Sequence, residues 1–381
     1  MASLTERVKS LAREVGFHAV GITSPDPFLE SEQVLRERYE LGLLEGSDYD
    51  LDLIRLRTHP LQSLPNAKSI LAVALSYLSD ESDESDRSGA PKGRMARFSR
   101  GLDYHKVLQE RLGVLAARIQ AEVGGHPEVR AYADTGPIAD RSAAIRAGIG
   151  SRGKNTCVSV GNYGSWVVLG ELVTDLELEP DEPAPVDICG DCEECVRACP
   201  TRAISAPYTV DTRICLSQVT QSKGSIPHWL REKMGTRIYG CDNCQSECPL
   251  NRHAEPGNLE AFRPTAGLGT HPDLLSLLNI GLADFACLVH PTTAGWIRRT
   301  RFRRNVAVAL GNIGDPIAVS ELKNALADPA PIVRGHAAWA LGRIGTERAR
   351  RLLESALCAE TDASTLLEFR RALDIPGVAG T

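Results

Sequence analysis

Short apolar runs and helical periodicities alternate along the first 180 residues of the chain. Ser69-Ile70-Leu71-Ala72-Val73-Ala74-Leu75 and Trp166-Val167-Val168-Leu169 are continuous apolar runs bounded by Gly, Pro and Asn, and they predict buried strands. Helical spacing recurs between them, so residues 1–180 predict an α/β domain. At the N-terminus, Ser3 with Glu6 three residues on, then Val8, Leu11, Ala12 and Val15, predicts a capped amphipathic helix rather than a signal peptide. Ser79 to Lys92, rich in Ser, Asp, Glu and Gly, predicts a mobile surface loop. The acidic, proline-punctuated stretch 178–186 predicts a linker into a separate segment, 181–262.

From about residue 263 the pattern is helical, and it repeats. Val306 to Gly314 (VAVALGNIG) recurs as Ala337 to Gly345 (AAWALGRIG), placing Leu310-Gly311 and Leu341-Gly342 at equivalent positions. Such units resemble HEAT-like repeats, in which each helix pair buries one face against its neighbour. Residues 263–381 are therefore expected to form an α-helical repeat domain. It either presents a recognition face or simply caps its neighbour, since both uses share one periodicity.

Composition narrows the class. The 381 residues are 43% hydrophobic and 24% charged, ordinary values for a folded chain, and no apolar run reaches the length of a membrane helix. A cytoplasmic protein is expected, with no membrane partner and as a monomer. The net charge of -6 argues against indiscriminate polyanion binding and requires any nucleic acid to be met by a local patch.

Eight of the eleven cysteines fall between Cys189 and Cys248. Clustered spacing without an export signal favours metal over disulfides. Cys189-x2-Cys192-x2-Cys195-x3-Cys199-Pro200 has the spacing of a bacterial ferredoxin, in which three thiolates serve one four-iron cube and the cysteine before proline serves a second. Cys215 and the run Cys241-x2-Cys244-x3-Cys248-Pro249 complete the set. The crossing rule assigns one [4Fe-4S] cluster to Cys189, Cys192, Cys195 and Cys248, and the other to Cys199, Cys215, Cys241 and Cys244. Structural zinc is the alternative, disfavoured by the doubled Cys-Pro ending. Two linked cubes imply a redox centre at their end and an external electron donor, yet no GxGxxG follows a predicted strand, so no Rossmann dinucleotide site is expected.

Asp134-Thr-Gly-Pro137, Arg141, Gly148-Ile-Gly150-Ser-Arg-Gly153-Lys154-Asn155-Thr156, Gly164-Ser165-Trp166 and Leu169-Gly170-Glu171-Leu172-Val173-Thr174-Asp175 together resemble the signature of the epoxyqueuosine reductase family. Arg57 with Pro60, Leu64-Pro65, Arg97 with Gly101, Asp103-Tyr104-His105-Lys106 and Tyr239-Gly240-Cys241-Asp242-Asn243-Cys244 extend the match in order along most of the chain. The chain departs from the family pattern at Leu102, Ser151-Arg152 and Thr220-Gln221-Ser222, positions that bear on substrate. The resemblance implies a reductive-dehalogenase-like α/β cobalamin-binding domain, with base-off cobalamin and two [4Fe-4S] clusters. It also implies reduction of epoxyqueuosine to queuosine at the wobble position of a tRNA anticodon stem-loop.

By the same resemblance Asp134 is the expected proton donor, with a pKa raised by a desolvated site. Arg57, Arg97, Asp134, Lys154, Asn155, Ser159 and Gly170 are expected around the corrin. No Asp-x-His-x-x-Gly motif is present, so no histidine lower ligand is expected. Arg298, Arg299, Arg301, Arg303 and Arg304, five arginines beside the first repeat, are the expected tRNA contacts, able to grip phosphates and stack on unpaired bases. Two other readings remain: a cobalamin-dependent Fe-S reductase of another substrate, or a non-enzymatic electron carrier fused to repeats.

Overall fold

The computed structural model describes residues 3–45, 47–81, 89–124 and 126–374, so residues 82–88, half of the expected Ser79–Lys92 loop, lie outside the described residues. The chain forms two compact units: Met1–Asp80 with Asp103–Cys215 and Asn243–Phe262, and Glu81–Leu102 with Leu216–Asp242 and Arg263–Thr381.

The first unit is built on a four-stranded sheet of β1 (Ala19–Thr23), β2 (Ser69–Ser76), β3 (Val129–Ala133) and β4 (Val167–Thr174), in the order β1-β2-β4-β3. All three pairings are antiparallel. The two apolar runs seen in the sequence are β2 and β4, the central strands; β2 is buried at every residue, as its lack of alternation requires. One sheet face is covered by the helix Tyr104–Val123 through Leu108, Leu112, Leu115 and Ile119. Each of these contributes about 2 kcal/mol of apolar burial. That helix starts where the Asp103 side chain accepts from the His105 N–H (3.1 Å) and ends at Gly124, whose φ of 66° is the left-handed cap glycine tolerates. On the other face the short helix Asp140–Arg146 packs Ala143 and its neighbours against Ile70, Ala72 and Val173.

The N-terminal helix, Leu4–Glu14, has the expected Ser3 cap on the Glu6 N–H (3.2 Å). The stretch 178–186, expected as a free linker, is instead strapped to this unit. Asp181 pairs with Lys9 and accepts from the Ile22 N–H (2.8 Å), and the Ala184 N–H donates to Ile145 (2.9 Å). Asp181 thus has fixed partners, which composition alone does not reveal.

In the second unit the helices Arg298–Ile313, Pro331–Ile344 and Ala363–Asp374 pack in succession. The repeated glycines explain the period. A Cβ on Gly311 would lie 2.8 Å from Ala340 Cα and one on Gly342 2.9 Å from Ala372 Cα, so each permits close backbone approach to the next helix. Residues Leu216–Asp242 belong to this unit, so the stretch 181–262 does not separate as a compact body of its own. The physical reason is polar. Buried Asn305 donates to the Thr220 and Ile238 carbonyls (2.7 and 2.8 Å), and buried Arg304 to those of Ser222 and Gly224 (2.8 and 2.7 Å).

Candidate functional site

Four of the eight clustered cysteines, Cys189, Cys192, Cys195 and Cys248, line a single cavity in the first unit. They are the four that the crossing rule groups. Burial, with Cys189, Cys248 and Cys192 close by, pushes the Cys195 thiol up to about 11. Among the described residues no group of three or more His, Cys, Asp or Glu is placed to hold a single metal ion. The two short helices Glu194–Arg197 and Asn243–Ser246 pack together and carry the chain past these thiols. Of the second expected set, Cys199, Cys215 and Cys244 belong to the first unit and Cys241 to the second. Cys199 Sγ accepts from the Ala203 N–H (3.1 Å).

The same cavity is lined by Gly153, Lys154, Asn155, Cys157 and Ser159, from the hairpin formed by Ser151–Arg152 and Val158–Ser159. The Lys154 backbone N–H points at Cys189 Sγ (3.4 Å), its ammonium donates to the Gly190 carbonyl (2.6 Å), and Asn155 donates to the Cys244 carbonyl (3.3 Å). Three residues expected at a corrin therefore sit against cluster-ligand segments. Cys157, given no role from the sequence, joins them.

Asp134 follows β3 in the left-handed region (φ 55°), a conformation that costs a non-glycine residue about 1 kcal/mol or more and is held here by its surroundings. Its carboxylate accepts from Tyr104 OH (2.6 Å) and faces His105 Nε2 (3.2 Å), while His105 Nδ1 meets Asp103 Oδ1 (2.7 Å). The residue that caps the long helix thus also orients the histidine. Arg57, at the end of the helix Leu51–Thr58, donates to Tyr49 OH (2.7 Å) and to the Asp134 carbonyl (3.2 Å), fixing the loop.

The electrostatics correct one expectation. Although neighbouring groups partly desolvate its half-exposed carboxylate, hydrogen bonds from His105 and Tyr104 hold Asp134 down at about 2, where a raised value was expected. The proton lies instead on His105, which burial disfavours but Asp103 and Asp134 raise to about 9. Behind this pair, burial and the Asp134 charge push Asp140 up to about 7, and burial with Asp140 beside it raises Glu171 well above the carboxylate range. Tyr104 and His105 were visible in the sequence as part of Asp103-Tyr104-His105-Lys106 but carried no role; the cap spacing Asp-x-His was the available signal. Nothing local marked Asp140.

The remaining expected site residues have the following surroundings. Gly170 faces the long helix, where an added Cβ would lie 3.1 Å from Leu112 and 3.4 Å from Leu108, so its smallness permits close helix-sheet packing. Arg97 lies in the second unit, its backbone N–H on Asp242 Oδ2 (2.9 Å). The arginine run is not one basic face. Arg303 is buried on Asp328, and Arg304 is buried on backbone carbonyls, because the first repeat's helix turns these positions inward. Arg299 donates to the Ile280 carbonyl and Arg301 to that of Gln221, with Arg301 over the half-exposed Trp296 ring (5.3 Å). Arg298, at the helix start, is exposed.

Comparison with known proteins gives a consistent set of matches. Residues 57–135 match the family model described as epoxyqueuosine reductase QueG, DUF1730; residues 188–251 match a 4Fe-4S double cluster binding domain; residues 298–374 match HEAT repeats. The epoxyqueuosine reductase of Listeria monocytogenes is 38% identical over 372 residues, covering 97% of this chain and 96% of its own. That of Bacillus subtilis is 36% identical over 383 residues, covering 99% and 97%. A crystal structure of epoxyqueuosine reductase with an epoxyqueuosine-modified tRNA-Tyr stem loop superposes with a TM-score of 0.91 at 35% identity, covering 98% of each chain. A Bacillus subtilis structure in which the loop of a catalytic aspartate is swung out of the active site gives 0.90 at 35% identity, covering 98% and 99%.

Proposed function

Because the chain belongs to the epoxyqueuosine reductase family, we propose that its clustered thiols, the hairpin beside them and the Asp134 loop form one reductive site for a tRNA base. The protein is an oxidoreductase of tRNA modification that reduces epoxyqueuosine to queuosine at the wobble position, and it carries a [4Fe-4S] double-cluster domain. Cys189, Cys192, Cys195 and Cys248 hold one cluster in our reading, and Cys199, Cys215, Cys241 and Cys244 the other. The observation that carries this assignment is the four-cysteine cavity itself.

Cobalamin is the proposed redox partner of the clusters. The residues present fit such a group: Arg57 has a buried Nε with no hydrogen-bond partner, and the Lys154–Ser159 hairpin reaches Cys189. Arg57, Lys154, Asn155 and Ser159 would hold it, and when bound it supplies electron transfer to a carbon centre. Both nitrogens of His105 are engaged by carboxylates, so this ring is no lower ligand. Asp134 passes a proton to the departing oxygen, drawing it from the His105 and Tyr104 hydrogen bonds. Arg298, with the Trp296-Arg301 pair, meets the tRNA. We assign an external electron donor, a monomer and a cytoplasmic setting; among the described residues no helix is long and apolar enough to cross a membrane.

The deciding experiment measures the nucleosides of tRNA from a strain lacking this gene, with complementation by the wild-type chain. Accumulated epoxyqueuosine, cleared on complementation, is expected; unchanged queuosine would refute the substrate. Iron and cobalt counts on anaerobically prepared, cobalamin-reconstituted protein test the cofactors separately.

A further inference from the structure

Conversion of an epoxide to an alkene breaks two C–O bonds, forms a C=C bond and releases the oxygen as water. It consumes two electrons, which enter from the external reductant through the clusters, and two protons. His105 accounts for one proton, through its contact with Asp134. A source for the second has to be sought among groups that the site has not yet used.

Asp140 and Glu171 are such groups. Glu171 projects from β4, the strand paired on both sides, at the register Ala72–Glu171–Tyr132, and none of the residue is accessible. It shares its sheet face with Val173, the face covered by the helix that Asp140 begins. Both Glu171 oxygens and Asp140 Oδ1 are buried, and none has a hydrogen-bond donor. Ionised carboxylates only accept, so two of them side by side leave every facing oxygen unsatisfied, at a cost of about 1–3 kcal/mol or more for each group. A proton placed between them removes the defect by turning one oxygen into a donor. The charged groups facing the pair are Arg57 and Asp134, and Asp134 in turn faces His105, Tyr104 and Arg141. One guanidinium, already committed to Tyr49 and the Asp134 backbone, does not neutralise three carboxylates.

We infer that Asp140 and Glu171 share a proton and act as a buried store from which Asp134 is reprotonated during turnover. The inference rests on the reductase reading and assigns both groups as positioning residues acting through Asp134. After His105 gives up the first proton by way of Asp134, the pair gives up the second, passes from one negative charge to two, and is reloaded from solvent between turnovers. The displacement of Asp140 to about 7 and of Glu171 well above the carboxylate range agree with a pair that still holds one proton at neutral pH.

The test uses the holoenzyme and two conservative variants, Glu171→Gln and Asp140→Asn, which keep the shape but cannot pass the shared proton. Infrared difference spectra of the wild type are expected to show a protonated-carboxyl C=O band that is present at neutral pH and fades only as pH rises well above it, and that is shifted or lost in both variants. Turnover of epoxyqueuosine-containing stem-loop should fall by about 10²-fold in kcat with KM within about twofold, and the decline of wild-type kcat above neutral pH should vanish. No such band in the wild type at pH 6, or a kcat and pH profile unchanged in both variants, would overturn the inference. Should Glu171→Gln not fold, Asp140→Asn and the wild-type band still decide it. A wild type that leaves the stem-loop untouched would instead refute the substrate reading, while the band continues to test the pair.

Discussion

Replacing Asp134 by asparagine keeps the side-chain shape and removes one of the two carboxylates that hold His105 charged. In the native chain those contacts are 2.7 Å to Asp103 and 3.2 Å to Asp134, and they lift the ring from 6.5 to about 9. That difference corresponds to about 3 kcal/mol in favour of the charged ring. The shares are unequal. Asp103 is nearer and its side chain is 18% exposed, whereas that of Asp134 is 52% exposed, so solvent screens the second interaction to about 1 kcal/mol. In Asp134→Asn the His105 midpoint should therefore fall by somewhat less than one pH unit, to about 8. The sign follows from linkage: a histidine raised on folding contributes stability that is fully present below pH 6.5 and lost as pH rises through about 9, and in the variant that loss is complete about one unit sooner. Nitrogen NMR of the selectively labelled ring reads the midpoint directly. A value still near 9 would show that Asp134 does not partner the ring, and a value of 6.5 would show that Asp103 does not; either result refutes the arrangement. The same variant should lose turnover by about 10²-fold or more while retaining the iron of both clusters.

Three other outcomes are expected. Cys248→Ala should lose about four of about eight irons, by elemental analysis of anaerobic protein, because its thiol completes the cluster begun at Cys189. Arg303→Ala, which leaves Asp328 buried without its partner, should lower the stability of the second unit by about 3–5 kcal/mol in denaturant unfolding, a loss too large for a surface phosphate contact. Arg298→Ala should leave the melting temperature unchanged and reduce the salt dependence of stem-loop binding by about one charge equivalent, measured as the slope of log affinity against log salt.

The sequence by itself determined the parts whose chemistry is written in spacing. The two apolar runs that become β2 and β4, the Ser3 cap and the 31-residue glycine period follow from local rules and are found as read, and the ferredoxin spacing brings Cys189, Cys192, Cys195 and Cys248 to one cavity. Tertiary structure decided everything that depends on which side of an element faces inward. The five arginines read as one basic patch, yet a helix places successive residues about 100° apart, and packing turned Arg303 and Arg304 to the interior. The acidic stretch around Asp181 read as linker until Lys9, 172 residues away, met it. Asp134 read as a raised acid because desolvation was the only influence visible in one dimension. Tyr104 and His105, delivered by a helix capped thirty residues upstream, reverse the sign. Glu171 sits within an apolar strand pattern, and only the packing of β4 against the helix from Asp140 shows two carboxyls competing for one proton. Hydrogen bonds and charges act over a few ångströms in space, so the protonation state of this site is a property of the assembled sheet and helices rather than of any segment of the chain.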